Sequence, residues 1–178
     1  MNAAIKPKLV LTGFMATGKS AVGRALAARL NRRFIDSDQE IVARAGKSIA
    51  RIFAEDGEAA FRALEQEIIA ELAASPEAAV IATGGGALVD DANYAALSRV
   101  GTLVCLVARP EVIARRVAAS NVARPKLMQG EMALEERIAQ LMEERKTAYA
   151  RAEITVDTSD LPVGRVADRV LRRLQGKE

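Results

Sequence analysis

Residues 9–20 read LVLTGFMATGKS. An apolar, strand-like run ends in Gly13, and four residues later Gly18, Lys19 and Ser20 follow in succession. The pattern G-x-x-x-x-G-K-[ST] is met at every position, with a strand expected before it and a helix after it. Each fixed position has a physical reason. Gly13 and Gly18 allow backbone conformations and close approaches that a side chain would obstruct. The N–H groups of the loop, including those of Ala16, Thr17 and Gly18, then converge on phosphate oxygens at the positive end of the next helix. Lys19 reaches the β- and γ-phosphates as a point charge, and the Ser20 hydroxyl coordinates Mg²⁺. A chance glycine turn would supply neither the ordered residues nor the flanking elements. The stretch therefore reads as an ATP-binding loop.

Outward from this loop, apolar runs and helical patterns alternate. Strands are expected at 8–12, 33–36, 79–83, 102–108 and 154–157, with little in-out alternation, as suits a parallel sheet covered on both faces. Helical spacing appears at 19–30 (Val22, Leu26, Leu30), 58–74, 131–150 (Leu134, Ile138, Leu141) and 163–174 after Pro162. This alternation predicts an α/β fold with a parallel sheet, in which ligands bind at the carboxyl ends of the strands. Residues 118–131 carry Asn, Pro and Gly without periodicity and read as a mobile surface lid on one domain spanning 1–178.

Composition narrows the chemistry. The 178 residues suit one compact domain, and a net charge of +3 with 3% aromatic residues gives no nucleic-acid signature. There is no histidine, so histidine metal sites and Ser-His or Cys-His pairs are excluded, and a general base has to come from another residue type, a carboxylate being the expected one. The lone Cys105 sits in an apolar run and reads as a buried thiol. No signal peptide or membrane-length apolar run occurs, so the cytoplasm is expected.

Three further places carry candidate chemistry. Asp36 and Asp38, in FIDSD, would share a face of an extended chain, one serving the Mg²⁺ shell and the other an acceptor hydroxyl. The plainer alternative makes Asp38 the cap of the helical QEIVARA. Gly84, Gly85 and Gly86 follow the third strand and would let a ligand lie against bare backbone, or simply form a flexible turn. Arg62, Arg124 and Arg145 are available cations. By themselves Arg62 reads as a solvated helical residue and Arg145 as an i,i+4 surface pair, whereas Arg124 lies where a lid could carry it to the phosphates.

The ordered blocks GFMATGKS, FIDSD, GKSIARIFAEDGEAAFRALE, ATGGG, ARPKL, ERKTAY and ITVDT resemble the shikimate kinase family over nearly the whole chain. The resemblance implies a three-layer α/β/α P-loop kinase with a five-stranded parallel sheet in order 2-3-1-4-5. It implies transfer of the ATP γ-phosphoryl group to the 3-hydroxyl of shikimate, in chorismate and aromatic amino-acid biosynthesis. By position, Asp38, Arg62 and Arg145 would contact shikimate, Gly84, Gly85 and Gly86 would line its pocket, and Phe53, Phe61 and Pro125 would pack on its ring. Lys19, Asp38 and Arg124 would carry catalysis, Arg124 from the lid, and Asp36 would join Ser20 around Mg²⁺. ATP and shikimate are the expected partners, with no nucleic acid or membrane, and a monomer is expected. Two departures stand out. Lys126 replaces an apolar lid residue of the family, and Lys-Thr-Ala separates Arg145 from Tyr149 where Pro-Leu before the tyrosine is common. The alternative is another small-molecule kinase of the same fold, such as a gluconate kinase, which the ATP loop alone cannot separate.

Overall fold

The computed structural model describes residues 6–120 and 133–177. Most of the expected lid, with Arg124, Pro125 and Lys126, lies outside the described residues. Five strands, β1 (Lys8–Thr12), β2 (Arg33–Asp36), β3 (Ala79–Ala82), β4 (Gly101–Val107) and β5 (Ile154–Asp157), form one sheet in the order β2-β3-β1-β4-β5. Every pairing is parallel. The expected strand order and parallel pairing are met.

Alternate residues of the central strands enter two separate cores, which is why both parities are apolar. Leu9, Leu11, Val80, Val104 and Leu106 pack with Val22 and Leu26 of α1 (Lys19–Leu30) and with Val166 and Val170 of α9 (Val163–Leu174). Val10, Ile81 and Leu103 face the other way, onto Ile69 of α4 (Gly57–Ala74) and Leu97 of α5 (Asp91–Val100). β1 is buried along its whole length. The phosphate loop is thus anchored on a strand with sheet on both sides and helices on both faces.

Local chemistry sets the helix boundaries. α1 ends at Asn31, whose φ of 50° is left-handed and whose N–H returns to Ala27 and Ala28. α2 (Ser37–Ala45) is capped by the Asp36 side chain, which accepts from Asp38 N, and α3 (Ile49–Glu55) by Ser48. α9 starts after Pro162, as the sequence predicts.

Two expectations need correction. The helix expected over 131–150 is α7 (Leu134–Glu144), a break at Arg145, then the single turn α8 (Lys146–Tyr149). Arg145 has φ −102° and ψ 0°, and its N–H reaches back three residues to Met142 O instead of four. Asp36 and Asp38 do not share a strand face, because β2 stops at Asp36 and Asp38 already lies in α2. The cap is Asp36, not Asp38. Periodicity alone does not mark α3, α5 or α6 (Pro110–Ala118), which span two or three turns; side chains cap α3 and α5, a proline opens α6, and all three rely on tertiary burial. Among the described residues no helix is long and apolar enough to cross a membrane.

Candidate active site

The loop after β1 is built on positive φ angles at Gly13 (125°), Ala16 (59°) and Gly18 (98°). A Cβ on Gly13 would lie 2.1 Å from the Leu106 carbonyl oxygen in β4, so only glycine fits there. Thr17 Oγ1 donates to Phe14 O at 2.8 Å and fixes the loop from inside. Lys19 Nζ donates to the carbonyls of Gly13 (2.9 Å) and Phe14 (2.8 Å), which holds the cation over the loop mouth. Ala16 has no residue-type signal for its left-handed conformation. Such a conformation costs an alanine about 1 kcal/mol, and such strain gathers at functional sites.

The carboxyl end of β2 meets this loop. Ser20 Oγ donates to Asp36 Oδ2 at 2.6 Å, while Asp36 Oδ1 accepts from Asp38 N at 3.2 Å. One carboxylate therefore caps α2 and also stands beside the loop hydroxyl. Two oxygen donors side by side next to a phosphate cradle suit Mg²⁺, which takes one or two protein ligands and completes its octahedron with phosphates and water. Among the described residues no group of three acidic, cysteine or histidine side chains could hold a metal alone.

The glycines after β3 gather the remaining candidates. A Cβ on Gly84 would lie 2.8 Å from Asp38 Oδ1 and 3.0 Å from Glu65 Oε1. On Gly85 it would lie 3.3 Å from both Arg145 Nη1 and Gly13 O, and on Gly86 3.0 Å from Arg62 Nη2. Asp38, Arg145 and Arg62 thus each approach a different one of three consecutive glycines, and Gly85 also lies close to Gly13 of the phosphate loop. Arg62, Gly86, Leu141 and Arg145 line a cavity of about 480 Å³, with Glu58 and Glu144 on its wall.

Electrostatics holds the two arginines differently. Arg62 donates to Glu65 at 2.5 Å and to Glu58 at 3.3 Å, and its guanidinium lies 5.1 Å from the Phe61 ring. Burial works against the Arg62 cation, but Glu65 and then Glu58 outweigh it and hold its pKa above the ordinary value. Glu65 is 1% exposed, and burial raises its pKa against the pull of Arg62. Arg145 is no surface ion pair: it is 8% exposed and lies over the Phe14 ring at 5.5 Å. Phe53 and Phe61 pack against each other at a 36° tilt, 4.8 Å between centroids, with Phe61 inside the α2–α3–α4 core.

The family described as shikimate kinase matches residues 15–175. The chain belongs to the shikimate kinase family. It is 44% identical to the shikimate kinase of Pelotomaculum thermopropionicum, over 94% of this chain and 95% of that one. It is 41% identical to that of Caldanaerobacter subterraneus, over 95% and 98%. Its fold superimposes on a shikimate kinase from Acinetobacter baumannii in complex with shikimate with a TM-score of 0.87 at 32% identity, covering 98% of this chain and 96% of the other. A gluconokinase from Sinorhizobium meliloti reaches a TM-score of 0.58 at 21% identity and shares the fold alone. The chain is therefore a kinase of the shikimate kinase family.

Several residues of this shikimate kinase family site escape motif reading. Glu65 orients Arg62 from three positions along α4, and the spacing was there to be read as an i,i+3 pair. The Ser37 hydroxyl accepts from Gly84 N at 3.2 Å, and Tyr149 Oη donates to Gly85 O at 2.6 Å. Burial pushes the Tyr149 phenol up to about 12, against the opposing pull of Arg145. Arg116, in the last turn of α6, donates to Ala16 O (3.2 Å), Thr158 Oγ1 (3.1 Å) and Thr158 O (2.7 Å). Thr158 Oγ1 donates in turn to Thr17 O at 3.0 Å. Arg116, Thr158, Leu161 and the loop residues 16–18 enclose a second cavity of about 170 Å³. No sequence pattern flagged Arg116, because its contacts join segments about 100 and 42 residues away.

Proposed function

We propose that the chain transfers the γ-phosphoryl group of ATP to the 3-hydroxyl of shikimate, as a cytoplasmic single-domain monomer. The observation that carries this reading is the close approach of Gly85 to Gly13, where an added Cβ would lie 3.3 Å from Gly13 O, which sets a two-arginine niche beside the phosphate loop. The phosphates lie on the loop N–H groups of residues 13–20, with Lys19 moving from the loop carbonyls onto the β- and γ-phosphates. The base occupies the cavity between loop residues 16–18 and Thr158–Leu161. Ser20 and Asp36 hold Mg²⁺, which when bound neutralises charge on the phosphates.

On the acceptor side, Arg62 and Arg145 bind the shikimate carboxylate through paired N–H donors. The three glycines let the ring approach the backbone, with Phe53 and Phe61 beneath it. Asp38 accepts from the ring hydroxyls, orients the 3-hydroxyl and takes its proton in a chain with no histidine. The transition state is loose, so this base need not be strong. Positioning and charge neutralisation carry most of the acceleration. Arg124 and Pro125, outside the described residues, keep the phosphate and ring-packing roles that the resemblance implies.

ADP release measured with shikimate, gluconate and nucleoside monophosphates as alternative acceptors tests the assignment. Shikimate-dependent release is expected, and release that depends on gluconate or a nucleotide instead would overturn it.

A further inference from the structure

Residues 158–162 join β5 to α9 and form one wall of the 170 Å³ cavity through Thr158 and Leu161. Thr158 is held from the sheet side, by its own N–H to Val107 O at 2.8 Å and by Arg116. The next two residues are held from elsewhere. Ser159 Oγ accepts from Arg109 N at 3.0 Å. The Asp160 carboxylate accepts a two-pronged grip from the Arg109 guanidinium, at 2.8 and 2.9 Å. The third guanidinium nitrogen of Arg109, Nε, donates to Glu111 Oε1 at 2.8 Å, so a second carboxylate helps set the fork.

We propose that Arg109 and Asp160 are positioning residues for the nucleotide. Their paired bonds hold the wall residues Thr158 and Leu161 at the spacing a nucleoside base requires, and so set nucleotide affinity without touching the acceptor. The inference rests on the placement of ATP given above. Both side chains are exposed, and an exposed ion pair alone contributes little. Three features set this pair apart. Its geometry is the bidentate one that loses least to side-chain freedom. Its arginine is pre-oriented by Glu111 and is also the residue that flanks the start of α6, which carries Arg116 to the same loop. And Asp160 directly precedes Leu161 and Pro162, whose fixed φ of −67° begins α9, so the short loop has little backbone in which to absorb a shift. No described hydrogen bond or ion pair links Arg109 or Asp160 to Asp38, Arg62, Arg145 or the three glycines.

The test compares Asp160→Asn, Arg109→Gln and the charge-exchanged double variant Arg109→Asp/Asp160→Arg with the wild type. ATP and, separately, inorganic tripolyphosphate displace N-methylanthraniloyl-ADP from each protein, and KM is measured for both substrates. Each single variant should weaken ATP binding and raise its KM about three- to tenfold. Tripolyphosphate affinity and the shikimate KM should stay within about twofold, and the double variant should return to within about twofold of wild type. ATP affinity unchanged in both single variants, an equal loss for tripolyphosphate, or a double variant no better than either single one would overturn the proposal. The displacement arm needs no acceptor. A wild type that binds ATP in this clamp-dependent way yet shows no shikimate-dependent turnover would sink the acceptor assignment and leave the clamp standing.

Discussion

Arg62 shows how one residue acquires a role its neighbours in sequence do not announce. Alone on a helix it would be a solvated cation, yet Glu65, buried in the same turn, fixes its fork against Gly86. Removing the fork should be felt by the acceptor only: Arg62→Ala is expected to raise the shikimate KM about ten- to a hundredfold, the range for a lost charge-assisted bond. The ATP KM should move less than about threefold. Equal losses for both substrates in steady-state kinetics would place Arg62 elsewhere. The buried carboxylate carries its own signature. Burial lifts the native pKa of Glu65 above its unfolded value of about 4.3. Between these two values the native state holds the proton and the unfolded chain does not, so stability is lost as pH rises through that window. The Glu65→Gln variant has no such proton. The difference in unfolding free energy, wild type minus variant, should therefore fall by about 1.4 kcal/mol for each pH unit of the window, read from denaturant melts at successive pH values. A flat difference would mean that Arg62 fully offsets the burial.

At the scale of elements, the loops matter more than the strands that launch them, and the glycines test this. Gly13→Ala sets a Cβ 2.1 Å from a β4 carbonyl, backbone against backbone, with no flexible atom to yield. It is expected to cost on the order of 4 kcal/mol and to abolish nucleotide binding. Gly46 also has positive φ, at 65°, but open space around it, so Gly46→Ala should cost only about 1 kcal/mol. Urea unfolding of the two variants checks the contrast, and similar small costs would show that the β1 loop relaxes. The same distinction explains what could be read beforehand. The five strands and the phosphate loop were legible because their signals are local: apolar runs, and a motif fixed by backbone geometry. Asp36 and Asp38 were legible as residues but not as geometry, since a cap turns the chain between them and sends one toward Ser20 and the other toward Gly84. The break at Arg145 was not legible at all. The apolar stripe of α7 runs up to it, and the residues beside the buried arginine, Phe14 and Gly85, come from distant loops.

The molecule as a whole places the segments that follow β1, β2 and β3 at one edge of a sheet whose order puts β3 between the other two strands. In the proposed arrangement the two substrates lie on either side of the place where Gly85 faces Gly13 O and Met15 N. Tyr149 holds the Gly85 carbonyl from behind, so this partition cannot drift freely. A side chain added there has to push on both sides: a Cβ on Gly85 meets Arg145 Nη1 and Gly13 O at the same 3.3 Å, tighter than ordinary contact. Gly85→Ala is therefore expected to raise the KM of both substrates by about three- to tenfold, with a loss of stability of no more than about 1–2 kcal/mol. Arg62→Ala moves only the acceptor and Asp160→Asn only the nucleotide, so the three variants form a pattern that independent local defects would not reproduce. Steady-state kinetics with each substrate varied in turn reads it out. If Gly85→Ala shifts one KM and leaves the other, the partition is not shared, and the transfer geometry must be set by residues other than those that meet at this glycine.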